Sequence, residues 1–91
     1  MPAYVYILRC ADGRLYFGST NDLIRRLREH ARGRVHTTAR RSPVRLVYFE
    51  RHPTPEQARQ REFALKNGRT RRKTIDALIA NFPAERLAPF A

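Results

Sequence analysis

Apolar positions cluster in two short stretches near the start of the chain. Residues 3 to 9 (AYVYILR) and 14 to 20 (RLYFGST) are rich in β-branched and aromatic side chains, with Ala11, Asp12 and Gly13 between them, which predicts an antiparallel hairpin. Thr20 or Asn21 is placed to cap a helix whose first turn holds Asp22. Leu23, Ile24, Leu27 and Ala31 then fall on one apolar stripe, and Gly33 stops the helix. Residues 32 to 43 (RGRVHTTARRSP) lose the periodicity and read as a basic loop, too long for a plain connector and therefore a candidate for function. A third strand is predicted over 44 to 50 (VRLVYFE).

Thr54, Pro55 and Gln57 form a capping arrangement that starts a second helix, which runs to about Asn67 with Gly68 as its stop. A third helix over 70 to 81 has Ile75, Leu78, Ile79 and Phe82 on its apolar side. The segment 83 to 91 is too rich in proline for a helix, although Leu87 and Phe90 are available to dock on the core. The order ββαβαα predicts an α+β fold: a small three-stranded antiparallel sheet flanked by helices, in a domain over 1 to 83 with a docking tail over 84 to 91.

The hairpin register decides whether Tyr6 and Tyr16 share a face, because a slip of one residue reverses the partner strand. A two-residue Asp12-Gly13 turn pairs Tyr6 with Ser19 and separates the phenols. A three-residue Ala11-Asp12-Gly13 loop pairs Tyr6 with Gly18 and brings them together. The second is preferred, since Gly13 suits the left-handed position of such a loop. On the first helix, Arg25, Arg28 and Glu29 point away from the apolar stripe, whereas Arg26 and His30 share its flank. On the second, Glu62 lies inward between Ala58 and Leu65, where a carboxylate is costly unless paired or bound to metal.

Charge narrows the function. Nineteen Lys and Arg against eight Asp and Glu leave +11 on 91 residues, which favours a polyanionic partner, nucleic acid ahead of a membrane surface. No apolar run approaches the ~18 residues of a membrane span, so a cytoplasmic protein without membrane contact is expected. The lone Cys10 excludes an internal disulfide and a cysteine-based zinc site, leaving any metal to oxygen ligands or His. Sixteen of the 19 cations fall between Arg25 and Lys73, and segments 30 to 49 and 63 to 75 contain no acid. Arg25, Arg32, Arg34, Arg40, Arg41, Lys66, Arg69, Arg71, Arg72 and Lys73 suit a phosphate track. A solvated charge run is the plainer reading of the same residues.

Together these residues resemble the GIY-YIG nuclease family. The naming triplets appear as Tyr4-Val5-Tyr6 and Tyr16-Phe17-Gly18, followed by Ser19-Thr20-Asn21-Asp22-Leu23, then Arg26 and His30. Pro43-Val44-Arg45-Leu46-Val47-Tyr48 and Arg61-Glu62-Phe63-Ala64-Leu65-Lys66 resemble the third strand and glutamate helix of its small bacterial members. Tyr4 stands where the family name has Gly and Phe17 where it has Ile, and neither departure removes a catalytic side chain.

The resemblance implies hydrolysis of a DNA phosphodiester with one divalent ion, Mg²⁺ or Mn²⁺, held by Glu62. It makes Tyr6 and Tyr16 the phenols flanking the scissile phosphate, Arg26 the phosphate clamp and His30 a polar partner. Tyr6 is the preferred base, with Tyr16 orienting the water or taking that role itself. Asn81 matches a supporting asparagine of the last helix, or is a plain helix cap. Implied partners are DNA, branched or damaged, ahead of RNA, together with a targeting protein in place of a specificity domain. A DNA- or RNA-binding module with weak or partner-dependent cleavage is the alternative. His36 and His52 are read as surface residues and Tyr48 as core.

Overall fold

Gly13 sets the hairpin. In the computed structural model, which describes residues 1–68 and 70–90, it adopts φ +86°, a conformation that suits glycine. Cys10 N–H donates to the Arg14 carbonyl at 2.8 Å and Gly13 N–H to the Cys10 carbonyl at 2.9 Å, closing a three-residue loop. Strands β1 (Ala3–Cys10) and β2 (Leu15–Thr20) therefore pair with Tyr6 opposite Gly18 and Leu8 opposite Tyr16. This register places both phenols on one face. Strand β3 (Val44–His52) pairs antiparallel with the other side of β1, giving the order β2-β1-β3 with an irregularity at Ile7/Leu8.

Helix α1 (Leu23–Ala31) follows β2 and is capped by Asp22, whose carboxylate accepts the Arg25 N–H at 3.1 Å. Asp22 is thus the cap itself, displacing Thr20 and Asn21, because its short acceptor reaches the third N–H of the helix. Leu23, Leu27 and His30 turn toward the sheet, while Ile24 and Ala31 are exposed. The expected stripe is rotated, since a histidine takes the inward place. The basic loop contains a short helix, α2 (His36–Ala39), too brief to show a period in sequence; its Thr38 is fully buried and its His36 exposed.

Helix α3 (Pro55–Lys66) begins at Thr54, whose hydroxyl accepts the Gln57 N–H at 3.2 Å. Gly68 takes φ +76° beyond its end, and helix α4 (Arg72–Ala80) follows. One face of the sheet buries Val5, Ile7, Val47 and Tyr48 against Ala58, Leu65 and Ile75; the other buries Tyr6 and Leu8 against Leu23. Full burial of an Ile7 or Leu8 side chain contributes about 1.5–3 kcal/mol.

The tail departs from expectation: α5 (Ala84–Leu87) and a 3₁₀ turn (Ala88–Phe90) follow Pro83. Proline is tolerated at a helix start, where its missing N–H has no partner to lose, so Pro83 and Pro89 do not prevent these turns. Phe82 stacks edge-on against Tyr48 and Phe49, Phe90 against Phe49, and the Arg86 guanidinium lies 4.9 Å from the ring centres of Phe49 and Phe82. The tail thereby packs on the Phe49 side chain of β3 and on Phe82. Among the described residues no helix is long and apolar enough to cross a membrane.

Candidate active site

Two strands and one helix deliver the centre of the site. Tyr6 from the middle of β1 lies beside Tyr16 of β2, ring centres 6.2 Å apart, and both rings meet His30 of α1 edge-on at 5.6 and 5.0 Å. Tyr6 can pass across β2 because its cross-strand neighbour is Gly18: a Cβ there would collide with the phenol. The Tyr6 hydroxyl lies 2.8 Å from His30 Nε2 and accepts the Arg26 Nε–H at 3.4 Å. Arg26 also donates to Glu29 at 3.0 Å. Glu29, expected to point away, is half-buried by this pairing, an i,i+3 contact that sequence spacing permits. On its far side, His30 Nδ1 lies 2.7 Å from Thr38 Oγ1, and both residues are fully buried.

Burial sets the electrostatics. Desolvation pushes the Tyr6 phenol up to about 12, against the pull of Arg26 and helped by the charges of Tyr16 and Glu62. The same cause, with the Arg26 charge second, lowers His30 to about 4, so the imidazole is neutral at pH 7. Its bond to Tyr6 raises Arg26 above its ordinary value, keeping the guanidinium charged throughout. Tyr6 is 0 % exposed, whereas Tyr16 is half-buried and Arg26 keeps 34 % of its side chain exposed.

Glu62 is carried by α3. It is half-buried and near enough for its charge to act on Tyr6, and it holds an ion pair with Lys66 at 3.3 Å, one helical turn on. Among the described residues no three His, Cys, Asp or Glu side chains gather to cage a metal. A single carboxylate fits a hard, hydrated ion such as Mg²⁺ or Mn²⁺, which keeps several waters and takes phosphate oxygens as further ligands.

Asn81 is exposed and closes α4, its N–H donating to the Ala77 carbonyl at 3.0 Å. Asn81 thus stands at the helix-cap position. Arg25, Arg32, Arg34, Arg40, Lys66, Arg71, Arg72 and Lys73 are exposed, and Arg41 is half-buried. Arg41 pairs with Asp12 at 3.7 Å and Arg72 with Asp76 at 2.9 Å, while Arg32, Arg34, Arg40, Arg71 and Lys73 have no ion pair among the described residues. Arg69 lies outside the described residues.

A second polar cluster was not foreseen. Glu50 of β3 accepts from Arg61 at 3.0 Å, from the Tyr48 hydroxyl and from His52 at 2.9 Å, so His52 is half-buried. Although burial alone would raise Glu50, these donors, Arg61 first, outweigh it and hold the carboxyl below its usual value. The cluster ties α3 to β3 and fixes the helix that carries Glu62. Thr38 was also missed. No local signal marks it, since its partner lies eight residues away beyond the turn at Gly33.

A family model of the GIY-YIG catalytic domain matches residues 2–75. The chain is similar to a UPF0213 protein of Bacillus pumilus, 45% identical over 74 residues, 79% of this chain and 74% of that protein. It is also similar to one of Haloquadratum walsbyi, 46% identical over 65 residues, 70% and 73% of the two chains. The solution NMR structure of a UPF0213 protein from Bacillus halodurans superimposes with TM-score 0.55 at 38% identity, covering 88% of this chain and 84% of that one.

Proposed function

The chain belongs to the GIY-YIG family, a nuclease-type family whose members act on nucleic acid and generally use divalent metals, and from that premise we propose a metal-dependent DNA endonuclease or nickase. The observation that carries the proposal is the meeting of two phenols, a guanidinium and a neutral imidazole within hydrogen-bond or ring contact, with the Glu62 charge acting on the same phenol. An ion held by Glu62 would stabilise charge on the phosphate and ease ionisation of a water. Lys66 would yield the carboxylate to it and turn to a phosphate.

The two phenols differ in access. Tyr16, half-buried, orients the attacking water and serves as its general base; Tyr6, closed off from water, holds Arg26 and His30 in place. This assignment departs from the preference for Tyr6, because a base must reach the proton it removes. Arg26, with 34 % of its side chain exposed, offers the guanidinium N–H groups not taken by Tyr6 and Glu29 to the non-bridging phosphate oxygens. The unpaired cations grip the backbone, which positions a duplex without reading bases, so selection falls on branched, damaged or otherwise distorted structure in cytoplasmic DNA.

The test is plasmid and branched-oligonucleotide cleavage with Mg²⁺, Mn²⁺ or chelator. Cutting should need the ion and be lost in Glu62→Gln and Tyr16→Phe while DNA binding persists. Equal cutting by Glu62→Gln would end the proposal. A second reading, a binding module whose cleavage waits for a partner protein, draws on the Lys66 contact that closes Glu62. It predicts salt-sensitive binding without cleavage by the protein alone.

A further inference from the structure

The polar atoms around Tyr6 line up in one direction. Arg26 Nε–H can only donate, and it points at the Tyr6 oxygen at 3.4 Å. Tyr6 is 0 % exposed, so its own proton must find an acceptor within the protein, and His30 Nε2 at 2.8 Å is in place. Nε2 therefore carries the lone pair, and the proton of the neutral ring sits on Nδ1. Nδ1 faces Thr38 Oγ1 at 2.7 Å, and the Thr38 hydroxyl in turn reaches the Val35 carbonyl at 3.4 Å. Each group donates one hydrogen bond to the next, from the guanidinium to a main-chain carbonyl, and among the described residues no buried polar side-chain atom lacks a partner.

The reverse arrangement fails at one atom. If Thr38 donated to Nδ1, the ring proton would sit on Nε2, and the Tyr6 oxygen would face donors on both sides. Its own proton would then be buried without an acceptor.

Resting on the nuclease reading above, we infer that Thr38 is a positioning residue: its hydroxyl locks His30 in the Nδ1–H tautomer, which orients Tyr6 and, through it, the phosphate-clamping Arg26. Thr38 lies on α2, between Arg34 and the Arg40–Arg41 pair, so the lock joins the basic segment to the clamp. A residue in the basic loop that the sequence marks as a candidate for function thereby sets the hydrogen-bond polarity of the site. The expected cost of releasing it is a misplaced guanidinium, and misplacements of about 1 Å lower rates by up to roughly 100-fold.

The first test is ¹⁵N NMR of the imidazoles at neutral pH in wild-type protein free of metal and DNA. His30 should show a protonated Nδ1 and an unprotonated, hydrogen-bonded Nε2; the opposite tautomer overturns the inference. Because it needs no catalysis, this measurement decides the point even if the protein cuts nothing, an outcome that would sink only the nuclease reading. The second test is kinetic. Thr38→Val should lower kcat roughly 10- to 100-fold with KM little changed and give a mixed His30 tautomer. Thr38→Ser, which keeps the hydroxyl, should restore both. Full kcat in Thr38→Val, or no recovery in Thr38→Ser, overturns the role; should Thr38→Val not fold, the wild-type tautomer and Thr38→Ser decide.

Discussion

Gly18→Ala is expected to destabilise the protein through Tyr6. An ideal Cβ at position 18 would stand 2.5 Å from Tyr6 Cζ and 2.9 Å from Cε1, with the phenol oxygen closer still. Ordinary carbon contacts lie at about 3.5–4.0 Å, so the ring must retreat by roughly 1 Å. It has no free space to enter, being fully buried and bonded to His30 at 2.8 Å. Overpacking of this kind costs about 1–3 kcal/mol, and weakening the buried hydrogen bond adds about 1–3. Alanine in a strand recovers roughly 0.5–1 kcal/mol of backbone entropy. The net loss therefore falls within about 1–5.5 kcal/mol and centres near 3, where the fall in Tm is on the order of 12–24 °C for a domain of this size. Urea unfolding followed by far-UV circular dichroism and tyrosine fluorescence reads it directly, since the chain has four Tyr and no Trp. Tyr6→Phe removes the atom nearest the new methyl, so Gly18→Ala should cost at least about 1 kcal/mol less in that background. A variant within about 0.5 kcal/mol of wild type, or a strictly additive double mutant, would refute the reasoning.

Other consequences follow from the same geometry. His30 is lowered from 6.5 to about 4 in the folded state, so the unfolded chain binds its proton first; stability is full above pH 6.5 and falls as pH drops toward 4. The loss reaches roughly 3 kcal/mol in wild type, and the pH slope of the urea midpoint over that window should flatten in His30→Gln. Arg61→Met leaves Glu50 without its main donor at a half-buried site, which should cost about 1–3 kcal/mol in urea unfolding. Since α3 loosens with it, cleavage should fall as well, whereas Arg72→Met, at an exposed pair, should change stability by less than about 1 kcal/mol. For DNA binding, Arg34→Gln or Arg40→Gln should each reduce the slope of log K against log salt by about 1, with no change in preference among DNA sequences. An unchanged slope would place that side chain off the phosphate track.

The readable parts were those governed by neighbours in the chain. Gly13 at a left-handed turn was enough to choose the hairpin loop, and the loop chose the face on which Tyr6 and Tyr16 meet. Thr54 and Pro55 announced α3 because capping needs only a hydroxyl and the N–H three residues on. Where a segment was short or its burial came from elsewhere, the reading slipped: α2 and α5 span four residues each, too few to display a period. Hydrophobicity places Ile24 inward, yet the inward place on α1 belongs to His30, whose two hydrogen-bond partners, Tyr6 and Thr38, make its burial acceptable.

What the amino-acid order determined by itself was the succession of the three strands and the three longer helices, the hairpin register and the cationic character of the chain. Each depends on backbone preference, a period of two or 3.6 residues, or simple charge. Tertiary structure alone decided that Tyr6 is sealed while Tyr16 opens to solvent, that Glu50 gathers Tyr48, His52 and Arg61, and that Thr38 completes a proton-ordered chain to Arg26. Access and hydrogen-bond polarity are properties of what surrounds an atom, and here the surroundings come from distant segments, Tyr6 being bonded to His30 24 residues on and paired across the sheet with Phe49.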